Sequence, residues 1–107
     1  MSGSPGSEPD RGRRLDATVV GRVQGVGFRY WVLERARAMR LVGWVANQED
    51  GSVRCVVEGP EPVLQRLLGT LAEGPAMSRV DSVSEFWSAA TGEFDAFRIR
   101  SLGHGGD

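Results

Sequence analysis

Between Gly21 and Arg29 the chain reads Gly21-Arg22-Val23-Gln24-Gly25-Val26-Gly27-Phe28-Arg29, with two glycines one residue apart and an arginine just beyond them. Glycine tolerates positive φ, so successive backbone N–H groups here can turn toward a common point and form an anion-binding concavity. A helical pattern begins at Phe28, and a helix N-terminus adds unpaired N–H donors and a partial positive charge. Arg29 falls in the first turn of that helix, where a cation opposes the macrodipole by roughly 0.3–1 kcal/mol. The first acidic residue that follows, Glu34, is more than a turn away. An anion seated between Arg29 and the N–H groups removes this cost, and a guanidinium can hold a phosphate through two parallel hydrogen bonds. The residue types and spacing therefore suit the capture of a phosphate group by the loop from Gly21 to Arg29, with Gly25, Gly27 and Arg29 as its informative positions.

The loop is equally informative in what it lacks. A dinucleotide fingerprint needs a third glycine where Tyr30 stands, and a nucleotide-hydrolysing P-loop needs Gly-Lys-Ser/Thr where Gly27-Phe28-Arg29 stands. All 13 Lys-plus-Arg positions are arginine, a bias that GC-rich coding produces, so no lysine can serve as a Schiff base or phosphate ammonium. The loop is thus sized for one phosphate group. A second candidate, Asn47, closes a strand-like run just before an Asp-Gly turn; taken alone, it reads as a local turn residue.

Composition narrows the remaining classes. One cysteine, Cys55, and one histidine, His104, allow no internal disulfide and are too few for a zinc site. Cys55 lies on an alternating strand-like run, where a free thiol is a small hydrophobe. A net charge of -1 points to neither nucleic acid nor membrane as a partner. Met1 to Arg14 carries no apolar run, which predicts neither signal peptide nor anchor and a cytoplasmic location.

The elements that must position these residues can be read from periodicity. Residues 1–14 read as a disordered leader, 15–101 as one domain and 102–107 as a tail. Asp16 to Val23 is strand-like. Phe28 to Arg40 carries Phe28, Trp31, Val32, Ala36 and Met39 at helical spacing. Val42 to Asn47 and Ser52 to Glu58 form a hairpin pattern about Asp50-Gly51. Pro60 and Pro62 suit the first turn of a second helix, with Val63, Leu64, Leu67, Leu68 and Leu71 on one face. Val80 to Trp87 and Phe94 to Arg100 read as strands joined by a loop from Ser88 to Glu93. The order predicts an α+β fold: a ferredoxin-like split β-α-β sandwich, an antiparallel sheet with two helices on one face.

The run Gly21 to Arg29, followed by Gly43-Trp44-Val45-Ala46-Asn47, Asp50-Gly51-Ser52-Val53 and Phe97-Arg98-Ile99-Arg100, closely resembles the acylphosphatase family from about Asp16 to Arg100. The resemblance implies metal- and cofactor-independent hydrolysis of the carboxyl-phosphate bond of small acyl phosphates to a carboxylate and inorganic phosphate. It implies that Arg29 binds the phosphate, that the backbone from Gln24 to Phe28 is its cradle, and that Asn47 orients the attacking water, in place of the turn role. Arg100 stands where family chains commonly close on an aromatic, and Gln48 follows Asn47 where some members carry a hydroxyl.

Such a sparse site suits an activated substrate. A carboxylate leaving group needs no general acid, and the substrate's own phosphate oxygens can accept the proton of the water. Acetyl, carbamoyl and 1,3-bisphosphoglycerate-type substrates all fit, and a monomer is expected. Two other readings use the same fold. Ferredoxin-type sheets also bind RNA through aromatics on the open face, here Trp44, Phe86 and Trp87, although Ser52 to Glu58 lacks the closely spaced Phe or Tyr of an RNA-recognition strand. A catalytically silent phosphate- or carbamoyl-binding regulatory domain is the other; the free-standing length of the chain weighs against it.

Overall fold

A computed structural model describes residues 12–101. The chain runs β1 (Arg13–Arg22), α1 (Phe28–Ala38), β2 (Val42–Asn47), β3 (Val53–Gly59), α2 (Glu61–Glu73), β4 (Arg79–Ala89) and β5 (Phe97–Ile99). The five strands form one sheet in the order β4-β1-β3-β2-β5. Strand β1 opens at Arg13, so Arg13 and Arg14, expected in the leader, are sheet residues. The rest of that leader, 1–11, and the tail, 102–107, lie outside the described residues.

Both helices pack on one face. Leu15, Ala17 and Val19 of β1, Val45 of β2, Val53, Cys55 and Val57 of β3 and Phe97 of β5 meet Phe28, Val32 and Ala36 of α1 and Leu64, Leu67 and Leu71 of α2 in one buried cluster. The alternation along β1 and the 3–4 spacing along the helices made these faces visible in the sequence. Cys55 is fully buried within this cluster, and burial, with the nearby Asp16 carboxylate second, pushes its thiol up to about 12.

The sheet departs from the expected one at its edge. The four strands β4-β1-β3-β2 are antiparallel, but β5 pairs parallel to β2, with Gly43 opposite Phe97 and Val45 opposite Ile99. The cause is the route of the chain after β4. Ala89 ends opposite Arg13, at the same end of the sheet as Val42, the first residue of β2. The loop that follows crosses the open face, reverses, and enters beside the start of β2. Glu58 holds this loop down, accepting hydrogen bonds from the backbone N–H groups of Thr91 and Gly92, both at 3.0 Å. Phe94, expected to begin the last strand, instead packs on Trp44, Ala46 and Val56 of the open face. Strand β4 accordingly extends to Ala89, and β5 is only three residues long.

The open face is polar and internally paired. Arg54 donates to both carboxylate oxygens of Asp16, at 2.9 and 2.6 Å. Trp44 lies beneath two guanidinium groups, those of Arg54 at 5.5 Å and Arg100 at 4.7 Å from its ring centroid, and is 7% exposed. Trp87 was expected on this face but lies opposite Leu15, on the helix side, half-buried against the core. Of the three suspected aromatics only Phe86 is exposed here, so the stacking platform an RNA-binding sheet needs is not formed.

Candidate active site

The loop between β1 and α1 is anchored at both ends by apolar burial. Val23 and Phe28 are almost fully buried, and the Phe28 ring packs against Trp31 with centroids 5.7 Å apart. Between these anchors the backbone of Gly25 and Gly27 takes φ of 76° and 79°, the left-handed region that favours glycine. Gly27 is also the N-cap of α1. No side chain caps this helix and no acidic residue lies in its first turn. The first N–H to bond back is that of Trp31, to the Gly27 carbonyl at 3.1 Å. The N–H groups of the first turn of α1 face the end where the glycines turn the chain. Arg29 occupies the second position of α1 and is half-buried.

Asn47 sits at the same end of the sheet. It is opposite Val53, which is opposite Val19, close to where β1 leaves for the loop. Its side chain shares the helix-covered face with Val45, two residues before it. There its Oδ1 is buried and accepts no hydrogen bond from any described group. A buried amide oxygen without a donor costs about 1–3 kcal/mol. Asparagine in a purely local turn role would spend that oxygen on the turn; here the turn is built without it.

The turn is made instead about the expected Asp50-Gly51 step, with Gln48 and Ser52 adding bonds that the sequence reading did not assign. Gln48 N–H donates to the Ser52 carbonyl at 2.9 Å, and Gly51 N–H to the Gln48 carbonyl at 3.1 Å. The Asp50 carboxylate accepts from both the N–H (2.9 Å) and the hydroxyl (2.6 Å) of Ser52, and these bonds hold its carboxyl below the usual range. Gln48 Nε2 adds a bond to the Ser52 hydroxyl at 2.8 Å. The Asp-x-Ser spacing was the available signal. Gln24 then reaches from the loop between β1 and α1 to this hairpin, its Nε2 donating to the carbonyls of Gln48 (2.8 Å) and Ser52 (2.9 Å).

The expected site residues thus gather at one end of the molecule. The cradle from Gln24 to Phe28 and Arg29 come from the loop and the start of α1, and Asn47 comes from the end of β2. Among the described residues no group of three or more His, Cys, Asp or Glu side chains is placed to hold a metal. No helix among them is long and apolar enough to cross a membrane.

The molecule is a split β-α-β sandwich with a glycine-turned loop at a helix N-terminus and, at the same end of the sheet, a buried asparagine oxygen that no described group satisfies. The acylphosphatase family model matches residues 15–99. The chain is 47% identical over 88 residues to an acylphosphatase of Salinibacter ruber, covering 82% of this chain and 93% of that one. It is 49% identical over 88 residues to an acylphosphatase of Moorella thermoacetica, covering 82% and 94%. The crystal structure of acylphosphatase from Bacillus subtilis superposes with a TM-score of 0.80 at 39% identity, covering 82% of this chain and 98% of that chain. The chain belongs to the acylphosphatase family.

Proposed function

We propose that the chain hydrolyses the carboxyl-phosphate bond of small acyl phosphates, with the phosphate held by the backbone from Gln24 to Phe28 and by Arg29 and the attacking water held by Asn47. The observation that carries this reading is the buried, unpartnered Oδ1 of Asn47 at the same end of the sheet as the cradle. Asn47 is only partly buried, so its side-chain amide can hydrogen-bond a water and aim a lone pair of that water at phosphorus.

In this reading water attacks phosphorus as the bond from phosphorus to the acyl oxygen breaks. The carboxylate leaves with that electron pair, and the proton of the water passes to a phosphate oxygen of the substrate. The products are a carboxylate and inorganic phosphate. Arg29 and the N–H groups at the start of α1 stabilise the charge on the equatorial oxygens, and Asn47 holds the nucleophile in line. A phosphate monoester has a far poorer leaving group, and among the described residues no side chain is assigned to protonate it.

We include in the proposal a monomeric, cytoplasmic protein. The outer edge strand β4 carries Arg79, Asp81, Ser82, Ser84, Glu85 and Ser88, a polar pattern that discourages edge-to-edge pairing. Sedimentation at micromolar concentration should give a single species of the chain's mass.

The test of the activity is turnover of benzoyl phosphate and acetyl phosphate in the presence of a chelator, with a phosphate monoester as control. Hydrolysis of both acyl phosphates but not the monoester is expected. Phosphate binding without turnover would instead favour a silent regulatory domain.

A further inference from the structure

We infer that the side chain of Gln24 is a positioning residue that sets the distance between the phosphate cradle and Asn47. The inference rests on the reading of the site proposed above, in which Gln24 contributes to the phosphate only through its backbone. The side chain points the other way. Its Nε2 donates to the Gln48 carbonyl at 2.8 Å and the Ser52 carbonyl at 2.9 Å. Both partners are carbonyl oxygens, which only accept, so the amide nitrogen must be the atom that faces them, and both of its hydrogens are used.

These carbonyls belong to the peptide groups that fix Asn47. Gln48 is its covalent neighbour, and Gln48 is held at both ends: its N–H by Ser52, its carbonyl by Gly51 N–H and by Gln24. The Ser52 carbonyl likewise receives two donors, Gln48 N–H and Gln24. The hairpin is braced in turn by Asp50 and the buried Ser52 hydroxyl. Phosphate loop and hairpin lie 24 residues apart in sequence at the nearer Gln24 contact, and no strand pairing joins the loop to the hairpin. Gln24 supplies that join. In-line attack depends on where the water sits relative to the bound phosphorus, and a displacement of about 1 Å can cost on the order of 100-fold in rate. The cradle keeps its own anchors, Val23 and Phe28, so phosphate affinity does not depend on the tie.

The test is a double-mutant cycle on benzoyl phosphate hydrolysis with wild type, Gln24→Ala, Asn47→Ala and the double variant, each with its inhibition constant for inorganic phosphate. Gln24→Ala is expected to lower kcat by about 10- to 100-fold while phosphate inhibition stays nearly unchanged. In the Asn47→Ala background the same substitution should have almost no further effect, because there is no water-holding amide left to misplace. Gln24→Met, which keeps the side chain's length without its donors, should repeat the result and serves if the alanine variant folds poorly. Wild-type kcat in both Gln24 variants, additive losses in the cycle, or a parallel loss of phosphate inhibition would each overturn the inference. Inactive wild-type protein would instead remove the proposed activity itself, so the two failures are distinguishable.

Discussion

Arg14 and Glu58 face each other across the β1–β3 ladder, and a guanidinium nitrogen of Arg14 lies 3.0 Å from the Glu58 carboxylate. The same carboxylate accepts from the Thr91 N–H, the Thr91 hydroxyl and the Gly92 N–H. Arg14 also pairs with Glu93 and covers the ring of Phe94. This knot carries the chain across the open face from β4 to β5. Glu58→Ala leaves two backbone donors and an arginine without their partner and should lower stability by about 2–3 kcal/mol in urea denaturation. Because the knot lies at the opposite end of the sheet from Asn47, acyl phosphate hydrolysis by the folded variant should be little changed.

The same residue gives a pH dependence with a definite sign. Burial works against the Glu58 charge, but the bonds from Thr91, Gly92 and Arg14 outweigh it and hold its carboxyl below the usual range. A depressed folded-state value contributes stability that is present above the unfolded value of about 4.3 and is lost as pH falls through the folded value. Unfolding free energy should therefore decline on the acid side of about pH 4, and Glu58→Gln should make that decline shallower. A variant with the wild-type slope would show that other carboxylates dominate the acid limb.

Arg29 and Asn47 should separate binding from turnover. Arg29→Ala is expected to remove both phosphate inhibition and hydrolysis, since in the proposed role the guanidinium holds ground state and transition state alike. Asn47→Ala should lower kcat by about 100- to 1,000-fold and leave phosphate inhibition nearly intact. It should also leave the fold at least as stable, because it deletes a buried acceptor that no described group satisfies. Near-normal benzoyl phosphate hydrolysis by Asn47→Ala would sink the water-holding role.

Gly27→Ala isolates the backbone of the cradle. A Cβ at this position would meet no atom within 4 Å, so sterics with the rest of the protein do not enter. What remains is the left-handed φ of 79°, which an alanine adopts at a cost of about 1–2 kcal/mol. Relief of that strain would rotate the peptide at the helix N-terminus away from the phosphate. Weaker phosphate inhibition is expected, together with a small drop in the urea midpoint; unchanged inhibition would mean that the Gly27 conformation does not shape the cradle.

Cys55 should be silent in the native state. Full burial and a thiol raised to about 12 leave almost no accessible thiolate near neutral pH. Titration with a thiol-reactive disulfide reagent should give no signal until denaturant is added, and then one thiol per chain.

The glycine-turned loop ahead of α1 was legible because its physics is local. The positive φ of Gly25 and Gly27, the uncapped start of α1 and an arginine in its first turn all follow from residues within one loop and one helical turn. The inward faces of α1 and β1 were legible for the same reason, since periods of 3.6 and 2 are written along the chain. Asn47 was different: its neighbours alone suggest a turn residue, and only the likeness of the whole Gly43–Asn47 run to a known family suggested another role. Tertiary structure decided the rest. The direction of β5 depends on which end of the sheet the chain reaches after crossing it, and the face that Trp87 takes depends on the β1–β4 register. The tie from Gln24 to Gln48 and Ser52 depends on two segments meeting at one end of the sheet. Local backbone preferences determine where donors converge, but only long-range pairing determines what stands opposite them.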